Sequence, residues 1–139
     1  MAIFLLDTTT LTHLQRNHPL ATAALAAHAG DTVGITSVNV EEVIGGWLGL
    51  LRRAKSNAQE SRAAQSLADA VTYLSGFHVF PATEAALDRF DQLVRMKLNV
   101  GKMDLKIAAI ALELSATVVT NNARDFGRVP NLLWEDWTV

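Results

Sequence analysis

The chain has 139 residues and a formal net charge of −2, a length that fits one domain built on one moderate core. Half of the residues are hydrophobic, 19% are charged and the mean hydropathy is +0.18, which excludes an intrinsically disordered chain. The near-neutral balance also excludes a polycation that coats nucleic acid indiscriminately, so a nucleic-acid contact has to use a local patch. The longest apolar or glycine run, Val43–Leu51, is too short to cross a bilayer. Met1–Leu6 meets Asp7 without a basic leader, so no export signal is expected. With no cysteine, disulfides, thiolate nucleophiles and sulfur-ligated zinc drop out together, and a reducing, cytoplasmic location is expected.

In chain order, Met1–Leu6 reads as a strand buried on both faces, because Ile3, Phe4, Leu5 and Leu6 are consecutive. Thr8, Thr9 and Thr10 cap a short helix carrying Leu11 and Leu14, and Pro19 opens a second that runs through Ala29 to a stop at Gly30. Thr32–Thr36 is the second strand. Ser37 or Asn39 then caps a helix whose Val40, Val43, Ile44, Trp47, Leu48 and Leu51 fall on one apolar face. The polar stretch 52–62 leads to a further helix through Leu74, and the two helices form a hairpin. Phe77–Phe80 is the third strand, and Thr83 begins a helix with Leu87, Phe90, Leu93, Val94 and Leu98 inward. Asn99 and Gly101 end it, Asp104 sits in the first turn of an alanine-rich helix through Leu114, and Thr117–Thr120 is the fourth strand. Asn121–Arg128 is a polar turn around Phe126, and Leu132–Trp134 is a short last strand. Strands alternating with helices predict an α/β fold, one domain over 1–139 with a central, mainly parallel sheet of four to five strands flanked by helices.

In such a sheet ligands gather beyond the carboxyl ends of the strands, at the switch in strand order. Asp7 ends the first strand, Glu42 lies early in the helix after the second, Asp104 opens the helix before the fourth strand, and Asp125 follows it. Several carboxylates in one cleft repel unless a cation neutralises them. Oxygen-only ligation suits magnesium or manganese, and metal-assisted phosphodiester hydrolysis is the matching reaction class. Each acid also has a plainer role open to it: Asp7 as a strand-to-helix cap, Asp104 as a helix-dipole partner, Asp125 as a turn acid paired with arginine. Glu41 and Glu42 lie about 100° apart on a helix, so only one of them faces the cleft.

Four motifs in order sharpen the choice. They are Phe4-Leu5-Leu6-Asp7-Thr8-Thr9, Ser37 to Gly46 with Glu42, Gly101-Lys102-Met103-Asp104-Leu105-Lys106-Ile107-Ala108-Ala109-Ile110-Ala111, and Thr120-Asn121-Asn122-Ala123-Arg124-Asp125-Phe126 followed by Trp134 or Trp137. In these the chain resembles the PIN-domain ribonucleases, and most closely the VapC-type toxins, with Thr9 where asparagine or serine is usual. The register favours Glu42 with Gly46, although Glu41 with Gly45 has the same spacing. The resemblance implies that Asp7, Glu42, Asp104 and Asp125 hold one or two Mg2+ or Mn2+ ions, with Thr8, Thr120 and Asn121 in support. It also implies cleavage of RNA to 5′-phosphate and 3′-hydroxyl ends, and an antitoxin as inhibitor.

Phosphate contacts need positive charge near the acids. Arg52, Arg53, Lys55 and Arg62 on the hairpin, Lys102 and Lys106 beside Asp104, and Arg124 and Arg128 beside Asp125 are the candidates for RNA contact. Trp47 reads as packing, and His13, His18, His28 and His78 show no repeated ligand spacing. The apolar stretches 40–51 and 63–74 are candidates for homodimer and antitoxin contacts. A haloacid-dehalogenase-like phosphatase would need an aspartate at Thr9, and a nonenzymatic PIN-like binding module would show an incomplete acid set. The expected function is therefore a metal-dependent endoribonuclease toxin.

Overall fold

The computed structural model describes residues 2–139. Its strands are β1 (Ile3–Leu6), β2 (Thr32–Thr36), β3 (His78–Phe80), β4 (Thr117–Val119) and β5 (Leu133–Glu135). The helices are α1 (Thr8–Gln15), α2 (Pro19–Ala27), α3 (Ser37–Arg52), α4 (Asn57–Leu74), α5 (Glu84–Arg95), α6 (Lys102–Leu114) and α7 (Ala123–Phe126). All four strand pairings are parallel, and the order is β3-β2-β1-β4-β5. The α/β class, the parallel sheet and the α3–α4 hairpin agree with the sequence reading. Among the described residues no helix is long and apolar enough to cross a membrane.

Successive strand side chains point to opposite faces, and β1 shows how this divides the core. Leu5 joins Val118 under α5 and α6 in one cluster. Phe4 and Leu6 join Val119 and Ile35 under α1, α2 and α4 in the other. A Leu buried as fully as Leu5 stabilises by about 1.5–3 kcal/mol, so both faces of β1 hold the helical layers to the sheet. At the β2–β3 edge, Gly34 permits a close approach, since a Cβ there would lie 2.7 Å from the His78 carbonyl oxygen.

Several boundaries differ from the sequence reading, each for a local reason. The Met1 end of the first predicted strand lies outside the described residues. Helix α2 stops at Ala27, ahead of Gly30, because His28 closes it with its backbone N–H on the Ala24 and Leu25 carbonyls. Thr36, and neither Ser37 nor Asn39, is the N-cap of α3, with Asn39 the reciprocal member of its capping box. Helix α5 ends at Arg95, before Lys97 and Asn99, which adopt positive φ values of 52° and 60°. Its inward face is Ala86, Phe90 and Leu93. Leu87 and Val94, expected inside, are 39% and 40% exposed, because they lie off the stripe that faces α6. The polar turn after β4 contains the single-turn α7, and β5 is shifted one residue beyond Leu132–Trp134.

Candidate active site

The strand order reverses between β1 and β4, and there the chain leaves β1 at Asp7. The Asp7 backbone N–H donates to the Val119 carbonyl at 3.0 Å, and the Thr10 hydroxyl donates to the same oxygen at 3.0 Å. These bonds tie the start of α1 to the end of β4. Asp7 is 5% exposed, and its Oδ1 accepts the Thr10 N–H at 2.8 Å as the N-cap of α1. Cap and cleft-facing acid are thus the same residue.

Glu42 is half-buried in α3, whereas Glu41 is exposed. The Thr8 hydroxyl donates to Glu42 Oε1 at 3.0 Å, and Asn39 Nδ2 donates to the Thr8 hydroxyl at 3.2 Å. The geometry therefore separates the two glutamates that spacing left equivalent. Asp104, in the first turn of α6, is half-buried. Its carboxyl is pushed up to about 6, first by burial and then by the negative charges of Asp7, Glu42 and Asp125. Four acids from four elements share one electrostatic neighbourhood. Asp125 is held by Asn122, whose Nδ2 donates to Oδ2 at 3.0 Å, and lies 3.6 Å from Arg128.

The donor set fits a hard divalent cation, since it is all oxygen and repels itself without one. Among the described residues no three His, Asp or Glu side chains already stand close enough to hold an ion. Three of the four acids lean on a neighbour, Asp7 on Thr10, Glu42 on Thr8 and Asp125 on Asn122.

The supporting residues fall differently. Thr8 touches Glu42 directly. Thr120 is fully buried, and its hydroxyl accepts the Asn122 N–H at 2.8 Å. Asn121 is exposed and meets His13 at 3.5 Å, so Asn122 and not Asn121 is the residue in contact with Asp125. Arg52, Arg53 and Lys55 are exposed around the end of α3, and Lys102 and Arg124 are exposed near Asp104 and Asp125. Lys106 lies over the Phe90 ring at 5.4 Å, which commits it to the α5–α6 contact.

Asn39 reads in the sequence only as a possible cap, yet it is fully buried and connects two residues, Thr36 and Thr8. Its Oδ1 accepts the Thr36 N–H at 2.8 Å and the Thr36 hydroxyl at 2.9 Å, while its Nδ2 reaches Thr8. The three-residue spacing Thr36-x-x-Asn39 was the available signal. Asn39→Ala should leave the buried Thr36 N–H without its acceptor, at about 1–3 kcal/mol. Thermal unfolding is expected to fall by roughly 5–10 °C. An unchanged melting temperature would mean that this network is not structural.

A groove of about 400 Å3 opens between α1, α3 and α4, from Thr8 beside Glu42 to Trp47 and Tyr73. It joins the acid cluster to the helical hairpin.

The PIN-domain family matches residues 4–132, and the chain belongs to that family. It is similar to Ribonuclease VapC1 of Haemophilus influenzae strain R2866, 28% identical over 141 residues, with 98% of each chain covered. Among solved structures it resembles the DNA-bound VapBC of Salmonella typhimurium, at TM-score 0.77 and 29% identity, with 99% of both chains covered. It also resembles the promoter-DNA-bound VapBC2 of Rickettsia felis, at TM-score 0.72 and 26% identity, covering 97% of this chain and 98% of the other. The resemblance to VapC-type PIN proteins drawn from the four motifs is borne out over nearly the whole chain.

Proposed function

We propose that this protein is a metal-dependent endoribonuclease and the toxin of a toxin–antitoxin pair. The observation that carries the reading is the convergence of Asp7, Glu42 and Asp125 on Asp104 at the β1–β4 switch point. Asp7, Glu42 and Asp104 are the residues that would hold Mg2+ or Mn2+, with Asp125 as the fourth. When bound, such an ion neutralises the acids and offsets the charge that develops at an attacked phosphodiester. The chain's own contribution is positional. Thr8 holds the Glu42 carboxylate, Asn122 and Arg128 hold that of Asp125, and the cap on α1 fixes Asp7. Exposed Lys102 and Arg124, neighbours in sequence of Asp104 and Asp125, would neutralise substrate phosphates. The products would carry a 5′-phosphate and a 3′-hydroxyl.

The two solved relatives are VapBC assemblies, which supports an antitoxin partner for this chain. The groove between α1, α3 and α4 gives an antitoxin segment a seat that ends at Thr8, beside the acids. Val71, 54% exposed on the hairpin, is available for contact with that partner or with a second copy.

The test is incubation of total cellular RNA with purified, antitoxin-free protein in magnesium, manganese or chelator, followed by sequencing of new 5′ ends. Discrete 5′-phosphate ends that vanish in chelator are expected. Folded protein that leaves RNA intact under all three conditions would favour the binding-module reading.

A further inference from the structure

The groove does not stop at Trp47. A second concavity of about 360 Å3 continues from Trp47 and Ser66 along the hairpin to Arg53 and Arg62. Trp47 lies on the apolar face of α3, yet it belongs to neither hydrophobic cluster. It is half-buried and forms wall for both concavities. Arg53 and Arg62 are exposed, and among the described residues neither is ion-paired. Arg53 folds back along α3, where the missing side chain of Gly49 leaves room for its guanidinium, 3.2 Å from the position of a Cβ. The outer concavity therefore offers an aromatic side chain where it adjoins the inner groove and two guanidinium groups without an ion-pair partner further along. The inner groove reaches Thr8 and, through it, Glu42.

An aromatic surface with cations beside it in one concavity is the arrangement that takes single-stranded nucleic acid, with a base stacked and nearby phosphates neutralised. A protein segment laid in the outer half would have to bury two guanidinium groups and supply carboxylates for both, whereas RNA brings an anion with every nucleotide. We infer that this outer concavity is a nucleotide subsite for single-stranded RNA, in which Trp47 stacks a base remote from the scissile phosphate and Arg53 and Arg62 hold phosphates on the outer side of that base. The inference rests on the nuclease reading and adds to it how the substrate is gripped. It also gives an antitoxin segment in the inner groove a way to act, since that segment would lie between the subsite and the acids.

The probe is a fluorescein-labelled single-stranded RNA of about 12 nucleotides, long enough to span the site of a comparable single-strand binder. It is titrated by anisotropy into the full-length Asp7→Asn protein. Adding Trp47→Ala is expected to weaken binding about tenfold, whereas Trp47→Phe, which keeps a stacking ring, holds most of the affinity. Arg53→Ala with Arg62→Ala, both at exposed positions, should flatten the slope of log affinity against log salt by about 1.4, because each phosphate neutralised on a single strand accounts for roughly 0.7 of that slope. In the otherwise unmutated enzyme the Trp47→Ala loss should fall on KM. RNA affinity and salt slope unchanged in all three variants would overturn the subsite alone. Unchanged RNA affinity with lost binding of the neighbouring gene's product would overturn it too, and would assign the outer groove to a protein partner. An Asp7→Asn protein that binds no RNA, beside an unmutated chain that cleaves none, would remove the nuclease reading itself.

Discussion

Asp7→Asn is expected to lower RNA cleavage by at least about 100-fold, the upper range for losing only an outer-shell partner of a metal site, while the fold survives. The choice of asparagine matters because Asp7 does two things. Its Oδ1 caps α1 by accepting the Thr10 N–H, and asparagine caps a helix about as well as aspartate. The melting temperature should therefore stay within about 3 °C of the parent. Asp7→Ala would lose both roles, adding a cap loss of about 1 kcal/mol to the loss of cleavage. A second consequence follows from the charge, since Asp7 is the first of the three acids that push the Asp104 carboxyl up. Removing it should bring Asp104 back toward its ordinary range, which NMR titration of the variant would detect. Cleavage by Asp7→Asn at the parental rate in matched magnesium would overturn the site assignment.

What could be read from the sequence is what repeats or is spaced. The alternation of apolar strands with helical periodicity is a global pattern, and it correctly yielded the parallel sheet and the α3–α4 hairpin. Asp7, Asp104 and Asp125 were visible because each stands at a strand or helix boundary, where the carboxyl ends of parallel strands must lie. The Glu41–Glu42 ambiguity could not be resolved that way, because both have a glycine four residues on. It took the Thr8 hydroxyl, 34 residues away in sequence, to distinguish them. Asn122 was overlooked in favour of Asn121 for a related reason, since two adjacent amides are equivalent in sequence until α7 turns one onto Asp125. The outward placement of Leu87 and Val94 shows the opposite limit: an apolar residue near a helical stripe is not buried unless a neighbouring element covers it. Trp47, assigned by periodicity to packing, is half-buried and also walls a groove.

Asp104→Asn is expected to have opposite effects on stability and on activity. In the folded protein the Asp104 carboxyl titrates at about 6 against an ordinary value of 3.8, because burial and three neighbouring acids disfavour its charge. Between those two pH values the folded chain holds a proton that the unfolded chain has released. The stability associated with Asp104 is therefore fully present below about 3.8 and is lost as pH rises through about 6. At neutral pH the metal-free protein carries that cost. The full shift would correspond to about 3 kcal/mol, reduced by solvent screening at this half-buried position to about 1–2 kcal/mol. Asp104→Asn removes the charge, so in chelator at pH 7.5 the variant should melt several degrees above the parent, even though it no longer cleaves RNA. Cation binding requires the ionised carboxylate. At fixed, subsaturating magnesium the parental cleavage rate should consequently fall about tenfold per pH unit below about 6, and added magnesium should move that limb to lower pH. A variant that melts below the parent in chelator, together with a parental rate flat from pH 7.5 to 5, would mean that Asp104 is neither the strained acid of the cluster nor a ligand. The destabilising carboxylate and the metal-binding carboxylate are, on this account, the same group.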